Sequence, residues 1–168
     1  MKLIRPEEKY LDSYTEAVRE ELQNSPDTAH MFNEPSQILQ KARDYESGVG
    51  LKPGRVRATY LWLIENGRFI GEISVRHELT PELLRYGGHI GYAVRWAERG
   101  KGYGTKMLAL ILDFCRSELG LERVLITCDD DNAASAGVIE NNGGVLENKV
   151  INELPEGTVL TRRYWIEL

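Results

Sequence analysis

The 168-residue sequence contains few cysteines and no long apolar run. Cys115 and Cys128 are too few for a disulfide framework or a zinc knuckle, so we expect two packed thiols in a reducing, cytoplasmic compartment. No stretch of about 18 residues is apolar and uncharged, which argues against a transmembrane helix. Pro6 interrupts the N-terminus before a secretory signal could form. We therefore expect a cytoplasmic protein without a membrane partner.

Basic residues are also outnumbered: the sequence has 21 Lys and Arg and 26 Asp and Glu, which gives a net charge of -5. Nucleic-acid affinity comes largely from a basic footprint on phosphates, so we expect no nucleic-acid partner. The distribution of charge is uneven, since residues 95–106 carry four basic side chains and one acidic one. These are Arg95, Arg99, Lys101 and Lys106, with Glu98. We expect an anion to dock at this local excess of +3.

The composition, 42% hydrophobic and 28% charged, is that of a globular chain. We find no repeats, low-complexity tracts or internal boundary, and predict one domain over residues 1–168. The hydrophobic spacing predicts the order β-α-α-β-β-β-α-β-α-β-β, a mixed α/β domain whose sheet is partly antiparallel.

The predicted elements are delimited by periodicity, glycine and proline. They comprise strands at 3–5, 58–65, 68–76, 88–95, 124–128, 145–153 and 159–168, and helices at 10–22, 38–45, 107–119 and 132–140. Residues 24–32 are predicted to be a loop, and 80–86 an excursion without a strand. Asn66-Gly67 predicts a tight hairpin, and Pro155-Glu156-Gly157 the final turn.

A glycine-rich, basic turn separates the strand at 88–95 from the next amphipathic helix. Gly100, Gly102 and Gly104 allow close backbone approach, and the helix adds its positive dipole end. Arg99 and Lys101 supply full charges. A diphosphate is the natural ligand for such a turn, although the same glycines also suit a tight turn without a ligand.

Two common phosphate-binding motifs do not fit this turn. A dinucleotide fingerprint requires a third glycine where Thr105 stands, and a P-loop requires Ser or Thr after Gly-Lys, where Gly102 stands. The spacing therefore disfavours both a Rossmann site and mononucleotide hydrolysis.

The segment Arg99-Gly100-Lys101-Gly102-Tyr103-Gly104 resembles the pyrophosphate loop of the GNAT superfamily of acyl-CoA N-acyltransferases. A second family element, an Asn with a small residue three positions later and a Gly eleven positions later, is matched by Asn132, Ser135 and Gly143. The family's Val-x-Pro element departs from the pattern, since Trp96 stands where proline is usual.

This resemblance implies a GNAT-type fold, with a central mixed, largely antiparallel sheet flanked by helices, and acetyl-CoA as cosubstrate. It implies that one run of main-chain groups holds the pyrophosphate of coenzyme A. These groups belong to Arg99, Gly100, Lys101, Gly102, Tyr103, Gly104 and Thr105. The main chain of Val94 would pair with pantetheine where its strand parts from that of Leu125, and Asn132 and Ser135 would face the pantetheine arm or the sulfur.

The resemblance also indicates what is missing. The tyrosine that many relatives use as general acid would stand seven residues after Asn132, where this sequence has Ile139. A thiol has a pKa of about 8.5, so a thiolate leaving group needs little assistance. Tyr92, Ser135 or a water could supply the proton, and His89 or Glu72 could act as general base.

Several candidates have simpler structural explanations. His89 could be a buried imidazole that donates to a backbone carbonyl. Cys128 could form an acyl intermediate, but a thiol in an apolar run is more often packed. Residues 129–131 are three aspartates ahead of a helix, which suit a cap and a solvated turn better than a metal site, and we predict no metal.

We therefore expect an N-acetyltransferase in which a primary amine, on a small molecule or a peptide, attacks the thioester of acetyl-CoA directly. Two other classes stay open: a non-catalytic acyl-CoA-binding sensor or interaction module on the same fold, and a nucleotide-binding regulator. The final hairpin is a candidate surface for homodimer formation.

Overall fold

A single seven-stranded sheet runs through the computed structural model, which describes residues 1–154 and 157–168. The strands are β1 (Lys2–Ile4), β2 (Ala58–Glu65), β3 (Arg68–Arg76), β4 (Ile90–Val94), β5 (Arg123–Asp129), β6 (Val145–Leu154) and β7 (Gly157–Glu167). The helices are α1 (Leu11–Asn24), α2 (Ile38–Ser47), α3 (Pro81–Arg85), α4 (Tyr103–Ser117) and α5 (Ala133–Glu140). Pro155 and Glu156 of the predicted final turn lie outside the described residues.

The order of strands in the sheet is β1-β2-β3-β4-β5-β7-β6. Every neighbouring pair is antiparallel except β4 and β5, which are parallel. The prediction of a mixed, largely antiparallel sheet flanked by helices is confirmed. At the β2–β3 turn, Asn66 and Gly67 both have positive φ, 50° and 75°, as a two-residue hairpin requires.

Each face of the sheet carries its own core. On one face, Met107 and Ile111 of α4 pack with Leu63 and Ile73, all fully buried. On the other face, Tyr14 of α1 stacks on Trp62 with ring centroids 4.6 Å apart. Because side chains of a strand alternate between faces, β3 and β4 contribute to both cores, and residues two apart share a face.

The structure shifts several predicted strand ends by one or two residues and corrects the prediction further in three places. Residues 24–32 are not simply a loop, because Pro26–Met31 forms a 3-10 helix. The excursion contains the short helix α3, whose N-cap Thr80 accepts a hydrogen bond from the N–H of Leu83. Helix α4 begins at Tyr103, earlier than predicted, because its first turn lacks the apolar side chains from which the prediction was made.

The two cysteines are free and buried, as expected of packed thiols. No helix among the described residues is long and apolar enough to cross a lipid bilayer.

Candidate active site

A cleft opens where strands β4 and β5 separate. Their only paired residues are Ile90 and Ile126. Just before that pair the strands approach closely, since a Cβ on Gly88, at φ +57°, would lie 2.5 Å from the carbonyl oxygen of Leu125. The two strands are therefore held together at one end and diverge beyond Ile90. The resemblance to the GNAT superfamily implied this divergence for the strands of Val94 and Leu125.

The cleft has a volume of about 420 Å³ and brings together residues from four parts of the chain. Its walls include every predicted cofactor residue except Lys101, together with Tyr92. They comprise Tyr92, Val94, Arg99, Gly100, Gly102, Tyr103, Gly104, Thr105, Asn132 and Ser135, and also Thr28, Met31, Ala93, Glu98, Ala134 and Val138. Sequence reasoning missed Thr28 and Met31, because nothing in the local sequence of that segment connects it to a site 70 residues away.

The glycine loop presents its main chain to this cleft. Gly100 and Gly102 adopt left-handed conformations, with φ of 75° and 79°, and Gly102 is the N-cap of α4. Within the described residues, no main-chain N–H from residue 100 to residue 105 donates to a protein acceptor. These donors and the positive end of the α4 dipole together form an anion site.

The predicted excess of positive charge is largely neutralised within the fold, and this corrects the sequence-based interpretation. Arg95 is buried and pairs with Glu16 and Glu20 of α1. Arg99 pairs with Glu21, and the Nζ of Lys101 lies 2.9 Å from Glu98 Oε2. The partners of the two arginines lie about 80 residues earlier in the chain. An anion in this cleft therefore meets main-chain donors rather than free guanidinium groups.

Arg99 connects three walls of the cleft. Its Nη2 donates to both carboxylate oxygens of Glu21, at 2.7 and 2.8 Å, and its Nε donates to the carbonyl oxygen of Val94 at 3.2 Å. Glu21, which has no exposed surface, also accepts a hydrogen bond from Thr28 Oγ1. This network fixes the loop, the end of β4 and the 3-10 helix relative to one another.

The main chain near Val94 faces the gap between the strands. The N–H of Arg95 donates to the carbonyl of Ile70 on β3. Because successive residues of a strand direct their polar groups to opposite sides, those of Val94 point away from β3. Trp96, at the position where relatives have proline, starts a short 3-10 turn, and its ring lies 4.8 Å from the Arg99 guanidinium.

Asn132, Ser135 and Tyr92 meet in the inner part of the cleft. Asn132 caps α5, since its Oδ1 accepts from the N–H of Ser135 at 3.0 Å. The Tyr92 hydroxyl lies 2.9 Å from Ser135 Oγ and so links β4 to α5. Burial raises the pKa of Tyr92 to about 12, so its hydroxyl keeps its proton at neutral pH.

Neither Ile139 nor Cys128 lines the cleft. Ile139 is fully buried in the core between α5 and the sheet, whereas Ala134, Ser135 and Val138 form the cleft side of the helix. Cys128 is buried, and burial raises the pKa of its thiol. The protonated, packed thiol fits the structural explanation better than the nucleophilic one.

Glu72 lies on the opposite face of the sheet, beside Ala93 of β4. Its Oε1 accepts from Asn33 Nδ2 at 2.7 Å, and its Oε2 accepts from Trp62 Nε1 at 2.9 Å. Burial raises its pKa to about 7, although both hydrogen bonds and the nearby Lys41 act in the other direction. Glu72 can therefore exchange a proton near neutral pH.

His89 lies at the closed end of the strand gap and not on the cleft wall. Its main-chain N–H donates to the carbonyl of Leu125, and its Nδ1 accepts from the N–H of Leu125 at 2.9 Å. Burial and Arg76 lower its pKa to about 4. The predicted alternative of a satisfied buried imidazole fits this geometry, with the ring nitrogen accepting a hydrogen bond rather than donating one.

The aspartates before α5 have separate structural roles and do not converge on one point. Asp130 pairs with Lys149 and Arg162, and Asp129 is paired with Thr161 in the β5–β7 ladder. Among the described residues, no group of three or more His, Cys, Asp or Glu side chains is placed to hold a metal ion.

A family model described as an acetyltransferase (GNAT) domain matches residues 3–145. A search of curated protein sequences found no significant match. Solved structures of acetyltransferases share the fold. The microcin C7 self-immunity acetyltransferase MccE, in complex with acetyl-CoA and AMP, has a TM-score of 0.73 at 17% identity, covering 99% of this chain and 91% of that chain.

RimL, a ribosomal alpha-N-protein acetyltransferase in complex with coenzyme A, has a TM-score of 0.72 at 18% identity, covering 99% and 93% of the two chains. A spermidine N-acetyltransferase, SpeG, from Vibrio cholerae has a TM-score of 0.68 at 13% identity, covering 99% and 95%.

Proposed function

Because the chain belongs to the GNAT acetyltransferase family, we propose that it transfers the acetyl group of acetyl-CoA to a primary amine by direct attack on the thioester. The observation that carries this proposal is the row of main-chain donors at residues 100–105, at the mouth of the gap between β4 and β5. MccE and RimL were crystallised with acetyl-CoA or coenzyme A, which supports the same cosubstrate here. The acceptor is a small molecule or a peptide. By their names, SpeG acetylates a small amine and RimL a protein N-terminus, so the fold accommodates both classes.

The loop and strand β4 bind the cosubstrate. The N–H groups of residues 100–105 bind the diphosphate, and the main chain of Val94 pairs with the pantetheine amides as an added strand. Arg99 acts through Glu21 and Val94, so it positions the loop rather than neutralising the phosphates. Asn132 holds the first turn of α5, and with it Ser135, against the arm.

The hydroxyl pair of Tyr92 and Ser135 protonates the leaving thiolate. Its protons stay in place at neutral pH, because burial raises the pKa of Tyr92 to about 12. As the amine attacks and the C–S bond breaks, the proton passes from the pair to the sulfur, and the pair regains a proton from water, to which Glu72 returns the proton taken from the amine. The pair thus takes the role that many relatives give to a tyrosine at the position equivalent to Ile139.

The acceptor approaches from the opposite face of the sheet, where Glu72 acts as general base. Its pKa near 7 is matched to proton removal from an ammonium or from the attacking amine, whereas the His89 imidazole, with a pKa near 4 and Nδ1 engaged, is poorly suited. Glu72 is buried and both of its oxygens are hydrogen-bonded, so we infer that the proton reaches it through a water.

The test is release of coenzyme A thiol from acetyl-CoA in the presence of a panel of primary amines. The proposal predicts release that depends on an added amine, together with an acetylated product of the expected mass. Tight binding of acetyl-CoA without turnover across the panel would instead support a non-catalytic sensor. Stabilisation by ADP-ribose cofactors above that by coenzyme A would support a nucleotide-binding regulator.

A further inference from the structure

A second cavity lies on the α2 face of the sheet, across β4 from the cofactor cleft. Ser74 of β3 forms part of its floor and is paired in register with Gly91 of β4. Gly91 follows Ile90, the residue at which β4 pairs with β5. A Cβ on Gly91 would meet only Ser74 Oγ, at 4.0 Å, so the space above this part of β4 is open. The cavity therefore adjoins the point where the strands diverge.

Three cations from different elements surround this cavity and the larger depression beside it. Lys41 comes from α2, Arg55 from the segment between α2 and β2, and Arg76 from β3. Arg55 and Arg76 line the cavity, whereas Lys41 and Arg55 line the depression. Burial lowers the pKa of both Lys41 and Arg76, and the charge of Arg55 lowers both further, so Arg55 lies close enough to repel each of them.

None of the three cations forms a salt bridge with a carboxylate of the described residues. Arg76 Nη1 donates to the carbonyl oxygens of Gly87 and Gly88, each at 3.0 Å, which leaves other guanidinium donors unused. Lys41 Nζ donates to Asn33 Oδ1 and lies 5.9 Å from the Tyr60 ring centroid. Most of the other arginines discussed above are paired with acidic groups, so this cluster stands apart in an acidic protein.

The carboxylates near these cations leave the charge uncompensated. Glu72 is electrostatically close to Lys41, but its oxygens are occupied by Asn33 and Trp62, and burial raises its pKa to about 7, so that it carries only part of a negative charge at neutral pH. Asp44 accepts a hydrogen bond from Gln40. Glu82, on α3, is exposed. With Lys52 included, four basic side chains face two acidic ones, Asp44 and Glu82, around the two concavities.

We propose that the amine acceptor carries a carboxylate or a phosphate, which Arg55, Arg76 and Lys41 bind while the amine reaches the thioester past Gly91. This inference rests on the proposed acetyltransferase function. Arginine forks bind both anions bidentately, and Lys41 adds a point charge. Tyr45 and Tyr60, whose rings meet edge to face at 5.8 Å, form an aromatic wall beside them.

The position of the cluster also sets the size of the acceptor. Glu72, Ser74 and Arg76 lie on one face of β3, and the Cα atoms of Glu72 and Arg76 are separated by four residues, about 13 Å in a strand. An arginine side chain bridges part of that distance. The acceptor is thus the size of an amino acid or a short peptide end, with its anion a few bonds away from its amine.

The test compares matched acceptors that differ only in the anionic group, in the presence of coenzyme A. Ethanolamine is paired with O-phosphoethanolamine, and Gly-Gly-Asn amide with Gly-Gly-Asp amide. Equilibrium binding, measured by calorimetry, is expected to be at least about tenfold tighter for the anionic member of at least one pair. The pair that shows the preference identifies phosphate or carboxylate.

The variants Arg76→Gln and Arg55→Gln are expected to abolish this preference and to leave coenzyme A affinity unchanged. Arg43→Gln is the matched control, because it removes the same charge from α2, the helix that carries Lys41, but Arg43 lines neither concavity. Equal binding of both members of both pairs, or a preference that survives in both variants, would overturn the inference.

Turnover distinguishes this inference from the function on which it rests. Acetyl transfer to neutral and anionic amines at equal kcat/KM would contradict the anionic acceptor and leave the acetyltransferase intact. Anion-dependent binding without transfer to any amine would contradict the proposed function and leave the anion site intact.

Discussion

The hydroxyl of Tyr92 lies 2.9 Å from Oγ of Ser135, and this contact joins β4 to the first turn of α5 across the cofactor cleft. Neither residue has a charged partner in this contact, and burial keeps the phenol protonated. The two hydroxyls are therefore placed to donate a proton, not to remove one.

Removal of the Tyr92 hydroxyl is expected to slow transfer without weakening cosubstrate binding. The Tyr92→Phe variant should lower kcat by about 10- to 100-fold, at or below the low end of the range for general acid catalysis, since the thiolate is already a good leaving group. Its KM for acetyl-CoA should change less than twofold. Steady-state kinetics with a fixed amine provide the measurement.

The Ser135→Ala variant and the double variant test whether the two hydroxyls act as one unit. If they do, the double variant is about as slow as the slower single variant. Tyr164→Phe is the control, because it removes another buried hydroxyl, hydrogen-bonded to Glu140 outside the cleft. An unchanged kcat in Tyr92→Phe would exclude the phenol as the proton donor.

A carboxylate in the glycine loop is expected to abolish coenzyme A binding. In Gly102→Asp, a negative charge is introduced beside the diphosphate at a position with open space around a Cβ. We predict a loss of affinity of at least about 100-fold, which corresponds to about 3 kcal/mol. Calorimetric titration with coenzyme A measures it.

Gly120→Asp controls for the backbone strain of this substitution. Gly120 also has a positive φ, 63°, with nothing within 4 Å of a Cβ, and it follows the other end of α4. Both variants should lose similar stability, and only Gly102→Asp should lose coenzyme A affinity. Equal affinities in the two variants would contradict the assignment of the loop.

The buried ion pair of Glu21 and Arg99 is expected to matter for stability. Glu21→Gln leaves the guanidinium without its counter-charge, and we expect a loss of about 2 kcal/mol, less than for a fully buried pair because Arg99 is 37% exposed. Urea unfolding measures it. Glu16→Gln, at an exposed partner of Arg95, should cost less than about 1 kcal/mol, and equal losses would contradict the role assigned to Glu21.

Glu72 makes the stability of the protein depend on pH. Burial raises its pKa from 4.5 to about 7, so the folded state binds more protons than the unfolded state between about pH 4.5 and 7. The free energy of unfolding therefore receives a contribution that falls as the pH rises through this window, by about 3 kcal/mol at most. In Glu72→Gln this contribution should disappear, whereas in Glu8→Gln, at an exposed position, it should remain.

The same carboxyl should govern the pH dependence of catalysis. As a general base, Glu72 requires its ionised form, so kcat/KM in the wild type should rise with an apparent pKa near 7. Glu72→Gln should lose this dependence and about 100-fold in kcat/KM. Retention of the same pH profile in the variant would assign the base to another group.

The sequence predicted most of the elements and the residues around the cleft, because these depend on local signals. Periodicity predicted β2 and β3 with correct bounds, and the glycines of the loop indicated a tight turn, which the structure forms with positive φ at Gly100 and Gly102. A cap before α5 was also predicted, because a cap and its helix are neighbours in sequence, and the structure assigns it to Asn132.

Long-range pairing was not readable from the sequence. The basic segment at 95–106 suggested free cations, but Glu16, Glu20 and Glu21 of α1 meet Arg95 and Arg99 only after folding. The cations around the α2-face cavity were missed for the same reason. Lys41, Arg55 and Arg76 are separated by 14 and 21 residues, and no local motif connects them.

The central claim, that the main-chain amides of residues 100–105 bind the diphosphate of coenzyme A, is tested most directly by nitrogen-15 amide spectra during titration. Coenzyme A is expected to shift the amide resonances of Gly100, Gly102 and Gly104, and pantetheine, which lacks the diphosphate, is expected to leave them unchanged. Saturable binding of coenzyme A that shifts amides elsewhere and leaves residues 100–105 unaffected would contradict the account.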